Sequence, residues 1–169
     1  MLQRTLPAGF IAPCLPTKTD RLPSGTEWLH EIKHDGFRVI ARKQDQRVKL
    51  YSRPGNDLTV RFPLIVEALA RLRPRSCMVD GEAVACGEDG IACFELIRRW
   101  DSDHSVFMWA FDLIELDGAD MRRDPRAQRK ASLERYGPIS NDQACRGWIV
   151  NTALANLGVG FANCVPKTR

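Results

Sequence analysis

Between Trp28 and Leu116 the apolar residues alternate or gather in short runs, separated by Gly, Pro and Asp. That pattern predicts strands joined by turns, with short helices between them. Trp28-Leu29-His30 and Phe37 to Lys43 read as two strands. Asp35-Gly36 between them is a strong hairpin signal, because glycine takes positive φ at little cost, and it puts Lys33 at the lip of a hairpin. Gln44-Asp45-Gln46 turns into a third strand, Arg47 to Arg53, which Pro54 to Asp57 breaks. Pro63 suits the first turn of a helix whose Ile65, Leu69 and Leu72 share a face up to Arg73, before Pro74. Cys77 to Cys86 predicts a strand carrying Asp80-Gly81-Glu82, and Cys93 to Trp100 a short helix. Ser105 to Leu116 is almost continuously apolar, as expected of a central strand buried on both faces. Asp112 inside that run then requires a partner, since an unpaired buried carboxylate is costly. Asp124-Pro125 opens a basic helix, Arg126 to Arg135, with the composition of a solvated face.

The two ends read differently. Pro7, Pro13, Pro16 and Pro23 predict an irregular lead-in over residues 1–26. Residues 137–169 show no sustained period and stand outside the logic of the preceding sheet, and Asn151, Asn156 and Asn163 make them too polar for a membrane span. A main unit over 27–136 remains.

Composition changes this picture little. The chain has 169 residues, 44% hydrophobic and 27% charged, which suits one globular domain. A net charge of +4 is compatible with a polyanionic partner without forming an obvious patch. No signal-peptide pattern opens the chain. The six cysteines form no Cys-x-x-Cys pair and only three histidines accompany them, which argues against a zinc site or a secreted disulfide framework and favours reduced thiols in the cytoplasm.

The candidate chemistry centres on Glu31-Ile32-Lys33-His34-Asp35-Gly36-Phe37-Arg38. A lysine with pKa ~10.4 must give up about 4–5 kcal/mol to present a free amine at pH 7 unless cations or burial lower that pKa. Such lysines serve as covalent nucleophiles. Taken alone, the motif also suits an ordinary turn lysine.

It is followed in fixed order by Ser52-Arg53, Asp80-Gly81-Glu82, Phe111-Asp112 and Asp117-Gly118. With Phe10-Ile11-x-Pro13-Cys14-Leu15 upstream and the run Ala110 to Gly118, the set resembles the ATP-dependent DNA ligases, specifically the bacterial end-joining type, over roughly residues 10–136. The resemblance implies an α+β fold, a partial nucleotidyltransferase (adenylation) domain of antiparallel sheets flanked by helices. It implies that Lys33 attacks the ATP α-phosphate and carries AMP. Glu31 would accept from the adenine amine, with Ile32 beside it in the nucleotide site. Arg38 and Arg53 would lie near ribose and phosphates, Glu82 would bind ribose or a metal-bound water, and Phe111 would stack on the purine. Asp35 shapes the turn. The implied cofactors are ATP with Mg²⁺ or Mn²⁺. The implied partners are nicked or broken double-stranded DNA and end-joining repair proteins, with no membrane.

The family continues with a Glu-Gly-x-x-x-Lys strand and a Lys-x-Lys strand, which residues 137–169 do not contain. The expectation is therefore a C-terminally truncated ligase domain with weak or absent self-adenylylation and no efficient nick sealing. Three other readings stay open: an RNA ligase or capping guanylyltransferase, a catalytically inactive fragment that binds nucleotide or DNA weakly, and a plain basic DNA-binding module.

Overall fold

A computed structural model describes residues 9–14, 20–21, 25, 28–32, 34–87, 91–99, 106–136, 148–150 and 162–166. Lys33 lies outside them. The strands are β1 (Trp28–Ile32), β2 (Phe37–Gln44), β3 (Arg47–Ser52), β4 (Ser76–Val84), β5 (Phe107–Leu116), β6 (Ala119–Asp120), β7 (Trp148–Val150) and β8 (Ala162–Pro166). The α-helices are α1 (Pro63–Ala70), α2 (Phe94–Arg98) and α3 (Arg126–Tyr136).

The strands make two sheets. One is six-stranded in the order β3-β2-β4-β5-β6 with β7 alongside β5, and the other pairs β1 with β8. All pairings are antiparallel except β5 with β7. Alternation along the strands divides the large sheet into two faces. Val39, Ala41, Val79, Ala83, Met108 and Ala110 enter the main core with Ile65, Leu69, Ile97 and Leu133 from the helices. Ile40, Met78 and Ile114 face the other way and pack against Phe10, Ile11 and Tyr51, so the irregular lead-in covers part of that face. Lys43 is buried because its Nζ donates to the carbonyls of Asp45 and Pro74, which ties the β2–β3 turn to the chain beyond α1.

Several expectations need correction. β1 and β2 do not form a hairpin, because β1 pairs with β8 and the chain bends at Asp35-Gly36 to pass from one sheet to the other. Gly36 is required for closeness: a Cβ there would sit 2.1 Å from the Ala83 carbonyl oxygen. β5 is not buried on both faces. Met108, Ala110, Leu113 and Ile114 are buried while Phe107, Trp109, Phe111 and Asp112 are partly exposed. α1 ends at Ala70, short of Arg73, because a run of bends carries the chain into β4. The stretch expected to stand outside the sheet contributes β7 to it and β8 to the second sheet. Strands of three and five residues are too short to show a period in the sequence.

Candidate functional site

The outer face of the β2–β4–β5 sheet collects most of the charged residues singled out above. Register places Arg38 opposite Glu82, and Glu82 opposite Trp109. One step along, Ile40 faces Asp80, and Asp80 faces Asp112. The β4–β5 ladder slips between Asp80 and Gly81, leaving Phe111 without an opposite residue. Such a bulge re-aims a side chain, and here the Phe111 ring lies under the Arg38 guanidinium, 4.5 Å from its centroid. Gly81 makes the slip possible, since a Cβ would meet the Trp109 carbonyl oxygen at 2.6 Å.

Arg38 grips Asp80 with two bonds of 2.6 Å, Nε to Oδ1 and Nη2 to Oδ2. Burial pushes the Asp80 carboxyl up, and the guanidinium opposes that push. Burial also works against the Arg38 charge, but Asp80 and nearby Glu82 more than offset it and raise its pKa. Glu82 is half-buried. Arg53 is exposed just beyond the Val39–Ser52 pair, at the Arg38 end of the sheet. A turn holds it there: the Asn56 N–H donates to the Ser52 hydroxyl, and Gly55 takes a positive φ of 83°.

A second cluster lies between β1, β5 and α3. Glu31 is 3% exposed, its Oε1 accepting from Lys130 Nζ and its Oε2 from Arg126 Nη2 at 3.4 Å. Arg126 also reaches Asp112 at 3.6 Å, and Arg129 binds Asp112 with bonds of 2.8 and 3.0 Å. The partner that Asp112 required is thus Arg129, reinforced by Arg126. The expectation of a solvated face on the basic helix is corrected: Arg129 and Lys130 are buried, because the carboxylates of β1 and β5 stand where an apolar core would otherwise meet the helix. Burial lowers the Lys130 pKa, and the Glu31 charge opposes that.

Sequence reasoning placed α3 but missed its buried, charge-paired face, and it missed a stacked pair. The spacing of Arg126, Arg129 and Lys130 at i, i+3 and i+4 puts all three on one helical face, a signal that was available alongside the unpaired Asp112. The His34 ring stacks on Trp109 at 4.2 Å and 15°, and nothing in the sequence announces that contact. Burial lowers the His34 pKa. His34 Nε2, Trp109 Nε1 and Arg126 Nε are buried and find no hydrogen-bond partner among the described residues. Unmet buried groups of this kind cost about 1–3 kcal/mol each, and two of the three belong to the stacked His34–Trp109 pair.

The structure therefore brings Arg38, Glu82 and Phe111 together, with Arg53 at the same end of the sheet. It reaches Glu31 through Arg126 and Asp112. Ile32 ends β1 in register with Ala162. Lys33, outside the described residues, is followed in the chain by the stacked His34. Among the described residues no group of three or more His, Cys, Asp or Glu could hold a metal ion.

Residues 16–153 match the model of the ATP dependent DNA ligase domain. The multifunctional non-homologous end joining protein LigD of Pseudomonas aeruginosa is 34% identical over 128 residues, covering 74% of this chain and 15% of that protein. DNA ligase 2 of Thermofilum pendens is 33% identical over 149 residues, covering 77% of this chain and 25% of that protein. Among solved structures, a mycobacterial DNA ligase D complexed with ATP and MES superposes with a TM-score of 0.69 at 30% identity, over 87% of this chain and 47% of that one. The ligase domain of Mycobacterium tuberculosis LigD gives the same TM-score at 25% identity, over 84% of this chain and 49% of that domain. The chain thus spans about half the length of the solved ligase chains and a quarter or less of these two sequence relatives. The α+β architecture expected from the motifs is the fold of the LigD ligase domain.

Proposed function

The chain belongs to the family of ATP-dependent DNA ligase domains, and from that premise we propose that it binds ATP and accepts AMP on Lys33, the first step of sealing breaks in DNA. The observation that carries this reading is the register that sets Arg38, Glu82 and Phe111 side by side on one sheet face. Orphaned buried nitrogens on His34 and Trp109 adjoin that face. In the reaction the Lys33 amine attacks the α-phosphorus, the bond to the β-phosphate oxygen breaks and pyrophosphate leaves.

The assigned roles follow the chemistry of each group. Arg38 and Arg53 supply positive charge toward ribose and phosphates, which stabilises developing charge and lowers the Lys33 pKa. Phe111 offers the ring face not covered by Arg38 to the purine, and Ile32 is assigned to the same nucleotide site. Glu31 retains lone pairs for the adenine amine, because a carboxylate has about four acceptor sites. Glu82 takes the ribose hydroxyls or one ligand position of a divalent cation. Mg²⁺ or Mn²⁺ fits here as an ion that arrives with the nucleotide: such ions keep several waters and phosphate oxygens and need only one or two carboxylates, and Asp80 is already engaged by Arg38. When bound, the ion supplies charge neutralisation at the phosphates.

Residues 27–136 carry all these groups, with 1–26 as lead-in and 137–169 as a divergent tail. Nicked or broken double-stranded DNA is the substrate, end-joining proteins are the partners and the cytoplasm is the location on this reading. Among the described residues no helix is long and apolar enough to cross a membrane.

Incubation with ATP labelled in the α-phosphate and Mg²⁺ tests the proposal by intact mass and gel. A weak covalent label, stable to denaturation and absent from Lys33→Ala, is the expected result. No label together with no thermal stabilisation by ATP would overturn it.

A further inference from the structure

The Glu31 carboxylate is nearly sealed from solvent and held by two cations of one helix. Lys130 approaches most closely, at Oε1, while Arg126 stands 3.4 Å from Oε2 and divides its charge with Asp112 at 3.6 Å. We propose that Lys130 is a positioning residue that holds Glu31 as an ionised, acceptor-only carboxylate and so makes the site select adenine over guanine. The inference rests on the reading above that Glu31 faces the base.

The argument is one of donors and acceptors. An ionised carboxylate accepts only, so it welcomes the exocyclic amine of adenine and repels the keto oxygen of guanine at the same position. A protonated carboxyl, or an amide, can also donate, and would tolerate that oxygen. A carboxylate as buried as Glu31 is costly unless cations face it. Glu31 is faced by Lys130 and Arg126 from α3, with Asp112 and its partner Arg129 behind Arg126. Across β8, Asn163 stands in register with it. Asp112 already claims Arg129 and part of Arg126. Lys130 is therefore the cation committed to Glu31.

Equilibrium binding of ATP and of GTP to the whole chain, with and without Mg²⁺, tests this in Lys130→Met, Lys130→Arg, Glu31→Gln and the double variant Glu31→Gln/Lys130→Met. Circular dichroism verifies that each is folded. Lys130→Met is expected to lower the ATP-over-GTP preference about tenfold, and Lys130→Arg to restore most of it. The double variant is expected to show the preference of Glu31→Gln alone. A Lys130→Met protein that loses both nucleotides equally, or keeps full selectivity while Glu31→Gln loses it, overturns the role of Lys130. Unchanged selectivity in Glu31→Gln is a different outcome, and overturns the placement of Glu31 at the base. If Lys130→Met fails to fold, Lys130→Gln supplies the same comparison.

Discussion

Glycine 36 and histidine 34 flank the bend that carries the chain from one sheet to the other, and each answers to a contact a few ångströms away. A methyl group at Gly36 meets backbone, the Ala83 carbonyl, and backbone cannot swing aside as a flexible side chain would. Gly36→Ala is expected to cost about 1–3 kcal/mol, read from urea unfolding, with the strand pairing at Phe37–Ala83 the first to loosen. His34 is half-buried against Trp109, and burial lowers its pKa. Below its unfolded value of ~6.5 the unfolded chain binds the proton more readily than the folded one, so stability is fully present above that pH and falls as pH drops toward the folded pKa. Melting temperature is expected to decline from pH 7 to pH 5, and His34→Phe, which keeps a stacking ring, should flatten that slope. An unchanged slope would place the titration elsewhere. Cys77, by contrast, has its thiol pushed up to about 12 by burial and should resist alkylation in the native protein while exposed Cys14 reacts.

At the scale of elements, α3 has an interior face of charge. Its Leu133 joins the apolar core, yet Arg129 and Lys130 on the same helix are buried too. Such an arrangement is stable only while every charge keeps its partner. Arg129→Met leaves Asp112 with Arg126 alone and is expected to destabilise by about 2–3 kcal/mol. Asp112→Asn in the same background should recover part of that loss, which a double-mutant cycle would measure. The strands were legible in advance because their residues alternate or cluster within a few positions: β2, β3 and β4 lie close to where the pattern puts them. Partners were not. Asp35-Gly36 looks the same whether it closes a hairpin or leads between sheets, because the difference lies in Ala83, far along the chain. The same holds for α3, since a basic helix is solvated by default and only a carboxylate brought in from another strand can change that. Arg38, Glu82 and Phe111 were legible as a set through the order of motifs, but the Arg38–Asp80 grip and the His34–Trp109 stack depend on register and on a bulge, which no single segment encodes.

For the whole molecule, the two sheets differ in how they are held. The large sheet is buttressed on its main face by α1, α2 and α3, whereas the β1–β8 sheet has two strands, a size that is marginal without packing. Hydrogen exchange is expected to follow this division, slowest at Val39, Val79 and Leu113 and markedly faster at the paired amides of β1. Equal protection in both sheets would show that they open as one unit.

The pairing of β1 with β8 also sets an order in time. Trp28 meets Pro166 and Glu31 meets Lys130, while β2 finds β3 across a two-residue turn. Contacts that close long loops form late, because their entropy must be overcome before any contact rewards it. On a ribosome, Arg38 can face Glu82 and Phe111 while β8 is still being made. The strand that leads into Lys33 must wait for it. Residues 28–32, which lead into Lys33, would be the last part of the candidate site to settle, after the sheet that carries Arg38, Glu82 and Phe111.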